Sequence, residues 1–388
     1  MRSVRYTLIV AAVICAADAP YVGAQSNSKE IMAQSPAQLV DILKNPDAAI
    51  FEKAKACQRL AVVGTSDAIP ALAALLSDEK LNVYARCGLE GIPDPAVDEA
   101  LRNAAQKLQG GQLVGVLDSI GRRKDTRAIE LLRGLLRNSD PEVASAAAGA
   151  LGQIGTSEAA AILKEAVGQN MPVEGWIAYG CLACANRLVA GDKKEEALAL
   201  YKAVEKANVQ KHIQAAAIQE QLRLQKAEAK DLLVAQIRNP DATFFNAGLA
   251  AARDIPGAEV TAALAGEVEQ LPAERQALLL RAIGDRKEPA PLPMLIAASQ
   301  SPSSAVQRAA IGVLAKRGDV QAAVIGPSAT RRPPGWPKRG LEQDFRARRW
   351  TPRLPPGLQT PPPSGKWFSS SSLAPAGLPR RCRRCVTH

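Results

Sequence analysis

Histidine is nearly missing from this sequence: His212 and His388 are the only two in 388 residues. Catalytic triads, metal triads and most general acid–base devices draw on histidine, so the chain carries little material for them. Aromatic residues are also scarce, at 4%, which argues against one large enzyme core. No glycine-rich loop follows a strand pattern, so no phosphate cradle is expected. The apolar run Thr7–Ala17 is too short to span a bilayer comfortably.

The surplus of one charge is local. The net charge of +11 looks like a nucleic-acid footprint until it is divided along the chain. Residues 331–388 hold 13 basic and 2 acidic side chains, and the remaining chain holds 36 of each sign. No basic stripe runs through the body, so no specific nucleic-acid partner is expected. The tail could make only non-specific anionic contacts.

What the sequence does have is a leader, a repeat and an odd tail. Arg2 and Arg5 precede the run Thr7–Ala17, and Val22-Gly23-Ala24 offers small residues before Gln25. This is the pattern of a secretory signal peptide over 1–24, so the protein is expected to be exported, periplasmic or extracellular, with no transmembrane helix after cleavage. Residues 25–35 read as a spacer.

The stretch SDPEVASAAAGALGQIG, Ser139 to Gly155, shows the repeat best. Asp140 suits a helix N-cap, Pro141 its first turn and Gly155 its end. Val143, Ala147, Ala150, Leu151 and Ile154 share one face. A stripe that is largely alanine fills little space, so a neighbour must come close. The closing leucine-to-glycine motif recurs at Leu60 (LAVVG), Leu89 (LEGIP), Leu117 (LDSIG), Leu280 (LRAIG) and Leu314 (LAKRG), and the leading leucines of the four earliest copies, that of Leu151 included, fall 29, 28 and 34 residues apart. Each unit starts at a capping turn such as Asn45-Pro46-Asp47, Asn239-Pro240-Asp241 or Ser301-Pro302-Ser303. A first helix follows, then a turn with an acid, then a leucine-rich second helix. Such units bury their apolar faces only by stacking. The expected fold is an all-α, right-handed α-solenoid of stacked antiparallel helix pairs, eight or nine units over 36–325.

These motifs resemble HEAT-like (armadillo-like) repeats, in particular the short kind found in phycobilisome lyases, over roughly 36–325 and most strongly over 54–167. The segment KACQRLAVVGTSDAIPALAALLSDEKLNVYARCGLEGIPDPAVDEAL, residues 55–101, is similar to secreted HEAT-repeat proteins of planctomycete-type bacteria. One segment departs: NRLVAGDKKEEALALYKAVEK, within 180–206, resembles a tetratricopeptide helix pair.

After Ile325 the composition changes. Residues 331–388 contain 11 prolines and Trp336, Trp350 and Trp367. Such a segment buries too little apolar surface to offset its ordering entropy, so 326–388 reads as a disordered basic Pro/Arg-rich tail. Three origins stay open: a polyanion- or membrane-surface-binding tail, a Pro-rich ligand around Leu354-Pro355-Pro356-Gly357, and a frameshifted end. The shift in composition to Arg, Pro, Gly, Ser, Trp and Cys fits the last.

Cysteine is the remaining candidate for chemistry. Cys181 and Cys184 form C-x-x-C at helical spacing, without the strand-to-helix turn a redox motif needs; they read as small core residues. Cys382 and Cys385 lie in CRRCVTH, where Val386 takes the place of a haem-attachment histidine. Cys57 and Cys87 lie about one repeat apart and read as buried rather than bridged. His212 reads as a surface or boundary residue at a helix start. Asp67, Asp94, Asp125 and Glu158 recur at one turn of the repeat and read as helix-capping acids, and Asp192–Glu196 as a solvated helix face. No catalytic residue, cofactor-binding residue, cofactor or metal ligand is therefore expected. The function expected is an exported, non-enzymatic scaffold whose concave face, lined by second helices, binds a protein or peptide. The alternatives are an accessory array of a truncated secreted enzyme or cytochrome, and a bilin-lyase-like HEAT protein.

Overall fold

The computed structural model describes residues 28–317. The expected leader and the whole of the expected tail, with Cys382, Cys385 and His388, lie outside the described residues. Among the described residues the regular structure is helical, with no strand. In chain order the α-helices are α1 (Pro36–Lys44), α2 (Ile50–Val63), α3 (Ile69–Ala74), α4 (Asn82–Gly91), α5 (Pro95–Ala105) and α6 (Gly110–Arg123). Next come α7 (Ile129–Leu135), α8 (Pro141–Ile154), α9 (Ser157–Ala166), α10 (Glu174–Ala190), α11 (Lys194–Lys206) and α12 (Lys211–Gln225). The series closes with α13 (Lys230–Arg238), α14 (Ala242–Asp254), α15 (Ala258–Glu267), α16 (Ala273–Gly284), α17 (Leu292–Ser299) and α18 (Ser304–Lys316). Each odd-numbered helix packs on the even-numbered helix that follows it, and each even-numbered helix from α2 onward packs on the next even-numbered one. This is the α-solenoid that the repeat dictates.

The local rules operate as the sequence implies in α8. Asp140 accepts the Glu142 N–H at 2.9 Å, Pro141 occupies the first turn, and Gly155 caps the end at φ 68°, a left-handed conformation that favours glycine. Val143, Ala147, Ala150, Leu151 and Ile154 are all buried. A second stripe is buried too, Ala144, Ala148 and Gly152, because α8 is covered by α6 on one side and α10 on the other.

The turn acids divide. Asp94 caps α5 through the Ala96 N–H at 2.8 Å, and Asp125 caps a short 3₁₀ turn through the Arg127 N–H at 3.0 Å. Asp67 and Glu158 correct the expectation: Asp67 lies within a 3₁₀ turn, and Glu158 lies in the first turn of α9, whose cap is Thr156, accepting from the Ala159 N–H at 3.2 Å. There they gain only from the helix dipole. At Asn45-Pro46-Asp47 the cap also shifts. Asn45 closes an Asx turn onto the Asp47 N–H, and α2 starts later, with Glu52 accepting the Ala49 N–H at 3.2 Å.

Arginines tie successive units together. Arg123 donates to the Ile92 and Asp94 carbonyls at 2.9 and 3.0 Å, and pairs with Asp98. Arg286 donates to Thr261 Oγ1 at 2.9 Å and to the carbonyls of Ala252 and Gly257. Arg317 donates to the Ala290 carbonyl. Arg123 and Arg286 both stand two residues after the glycine of the repeat, Gly121 or Gly284. Each donates to carbonyls in or beside the turn of the unit before it, Ile92 and Asp94 or Ala252 and Gly257, and so ties one unit to the next.

The core forms two clusters that meet within α12: Ile213 and Ala217 belong to the first, Ile218 and Leu222 to the second. Around this junction the contacts turn polar. Gln214 donates to the Glu205 and Ala207 carbonyls, and buried Gln221 donates to Glu205 Oε2 at 2.7 Å. Residues 180–206, the segment set apart in the sequence, lie in α10 and α11. Helix α11 packs against both α10 and α12, which touch each other only lightly.

Candidate binding surface

Cys57, Cys181 and Cys184 are core residues, as the sequence implies; Cys87 corrects the expectation, being only partly buried beside the stripe of Ala85, Gly88 and Leu89 that α4 turns inward. Cys181 and Cys184 on α10 are fully buried, and their thiols point to the Leu163 and Thr156 carbonyls at 3.6 and 3.9 Å. Burial pushes the Cys181 thiol far above its ordinary range, with Cys184 and Glu174 adding to it; burial pushes Cys184 up to about 12, with Glu196 adding. Cys57 is buried and is likewise raised to about 12 by desolvation, with Cys87 nearby adding to it. These thiols stay protonated at neutral pH, the opposite of a nucleophile or a metal ligand. Among the described residues no group of three His, Cys, Asp or Glu side chains could hold a metal ion, and no helix is long and apolar enough to cross a membrane.

The exposed surface is more informative. Trp176 is 48% exposed and Tyr179 is 45% exposed. They stand one turn apart on α10, opposite its buried stripe of Ile177, Ala178, Cys181 and Cys184. Their ring centroids are 5.9 Å apart at 51°, and Tyr179 lies 6.4 Å from the His212 ring. Tyr179 Oη and His212 Nε2 are hydrogen-bonded at 3.0 Å across α10 and α12. Among the described residues Trp176 is the one tryptophan and His212 the one histidine. They sit on the same patch, beside the place where α11 holds α10 and α12 apart. His212 is thus the surface residue at a helix start that the sequence implied, but its partner Tyr179, 33 residues away, was not legible there.

Two anchors fix the patch. Buried Glu174 accepts the backbone N–H groups of Gly168 and Met171, the second at 3.0 Å, which sets how the chain enters α10. Beside His212, Lys211 pairs with Asp241 at 2.5 Å, and Asp241 also caps α14 through the Thr243 N–H at 2.8 Å. These contacts hold the Asp241 carboxyl down at about 2, the Lys211 hydrogen bond being the largest cause.

Comparison with known proteins bears on the fold. Residues 113–176 match the HEAT repeats model, and no curated protein matches the chain. Among solved structures, human deoxyhypusine hydroxylase in complex with glycerol is 16% identical, over 77% of this chain and 99% of that one, with a TM-score of 0.26. The complex of CpcE and CpcF of phycocyanin lyase from Nostoc sp. PCC7120 is 20% identical, over 64% and 93%, with a TM-score of 0.31. An engineered protein is 18% identical, over 73% and 97%, with a TM-score of 0.16. Over residues 113–176 the chain is thus similar to HEAT repeats, and stacked helix pairs continue on either side of that segment.

Proposed function

We propose that this array is an exported, non-enzymatic scaffold that binds a protein partner through the surface carrying Trp176, Tyr179 and His212. The single observation behind this reading is an exposed Trp–Tyr pair whose tyrosine is fixed by a histidine on the next even-numbered helix. Tryptophan and tyrosine dominate interface energetics because they bury large, rigid area at little entropic cost, and the hydrogen bond removes part of that cost in advance. The proposed contact uses even-numbered, first helices, whereas the sequence reading uses second helices.

Export rests on Arg2, Arg5 and the run Thr7–Ala17; N-terminal sequencing of the protein from the producing cell should begin at Gln25. The scaffold reading is tested by comparing partner capture by the parent and by Trp176→Ala. The variant should keep its helicity and stability, since an exposed side chain is lost, and should lose the partners held by the parent. Identical capture would overturn it. The non-enzymatic part predicts that added bilin or haem produces no new visible absorption band; a stoichiometric band would overturn that part.

A further inference from the structure

A cavity of about 690 Å³ opens where α13 and α15 end and α16 begins. Pro240 and Pro272 form apolar walls, and the polar groups are Arg238, Glu267, Gln270 and Arg275. Glu267, 6% exposed, accepts Arg238 Nε and Nη2 at 2.6 and 2.7 Å. That bidentate pair fixes the guanidinium plane and turns its third nitrogen away from the carboxylate. Arg275 is fixed as well: it lies over the Phe245 ring, 4.4 Å from the centroid, and donates to the Asn239 and Pro240 carbonyls. Two guanidinium groups face one carboxylate, so the lining is net positive.

The same position recurs 101 residues earlier, where Arg137, Gln169 and Met171 stand for Arg238, Gln270 and Pro272. There the cavity is only about 40 Å³. The position of Arg275 is taken by Glu174, whose carboxylate turns onto the loop at Gly168 and Met171. One position therefore carries opposite charge in the two units, and the arginine accompanies the open cavity.

We propose that the cavity at Arg238 and Arg275 binds a carboxylate-bearing segment of a partner protein, an acidic side chain flanked by apolar ones. The two pre-positioned guanidinium groups receive the carboxylate, and the proline walls cover its neighbours. The inference rests on the scaffold reading but not on Trp176.

The test uses the full chain and an acetylated, amidated pentapeptide, Ala-Pro-Glu-Leu-Ala, against its Gln counterpart, titrated by saturation-transfer NMR. The Glu peptide should bind and the Gln peptide should bind about tenfold more weakly. Arg275→Gln should erase that difference. Glu267→Gln, which removes the competing carboxylate, should strengthen binding of the Glu peptide several-fold, a gain that a merely structural role would not produce. Trp176→Ala should leave the dissociation constant unchanged, so failure here and failure of the aromatic anchor are told apart. If Arg275→Gln loses helicity, the Arg238→Gln/Glu267→Gln pair replaces it, with the same loss of preference expected. Equal affinity for the two peptides, binding of neither, or a preference that survives these variants overturns the proposal.

Discussion

Gly152 of α8 and Gly180 of α10 meet backbone to backbone. A Cβ on Gly152 would lie 2.6 Å from the Gly180 carbonyl oxygen, and one on Gly180 would lie 2.5 Å from the Ala148 carbonyl oxygen. Neither contact is with a flexible side chain that could swing aside. This is the close approach that the alanine-rich stripe of α8 demands.

Alanine normally stabilises a helix interior by about 1 kcal/mol relative to glycine. At Gly180 the sign should reverse, because the added methyl forces two helices apart; Gly180→Ala should cost about 2 kcal/mol in urea unfolding. Gly149, with nothing within 4 Å of a built Cβ, is the control: Gly149→Ala should stabilise. Equal effects at the two positions would refute the close-packing account.

Arg286 has a fully buried side chain, with Glu288 3.4 Å away, and burial lowers its pKa. Replacement by methionine keeps most of the volume but removes the donor to Thr261 Oγ1 and to the Ala252 and Gly257 carbonyls, of which only Gly257 keeps another, the Thr261 N–H. Arg286→Met should destabilise by about 3 kcal/mol. A change below about 0.5 kcal/mol would show that water serves those groups equally well.

The buried thiols should be inert in the folded protein. At about pH 8 an alkylating reagent should leave Cys57, Cys181 and Cys184 unmodified, as read by peptide mass mapping, and should modify them after denaturation. Rapid modification of Cys181 or Cys184 in the native state would contradict their burial.

Asp241 ties acid stability to the aromatic patch. Its folded pKa, about 2, lies below the unfolded value of about 3.9. Its contribution is therefore complete above about pH 4 and is lost as the pH falls through about 2. Asp241→Asn should melt at a lower temperature than the parent at neutral pH, and the gap should narrow between about pH 4 and 2. A gap independent of pH would show that the Lys211 contact contributes nothing.

The helix pairs, their order and most of their ends follow from local sequence alone. Those features are local: Asp140, Asp94 and Gly155 act on backbone groups within a turn or two, and the apolar periodicity marks which faces must be covered. It also placed Cys181, Cys184 and His212 correctly, because helical spacing alone separates a buried stripe from an exposed one. Tertiary structure decided what depends on residues about one repeat apart. Arg123 and Arg286 reach carbonyls of the preceding unit, and Tyr179 finds His212 only because α11 spaces α10 from α12. Whether position 174 or 275 closes a loop or opens a cavity depends on which carbonyls or N–H groups the stack brings within reach. A repeat fixes its own helices through short-range hydrogen bonds; its surface belongs to the neighbour stacked beside it.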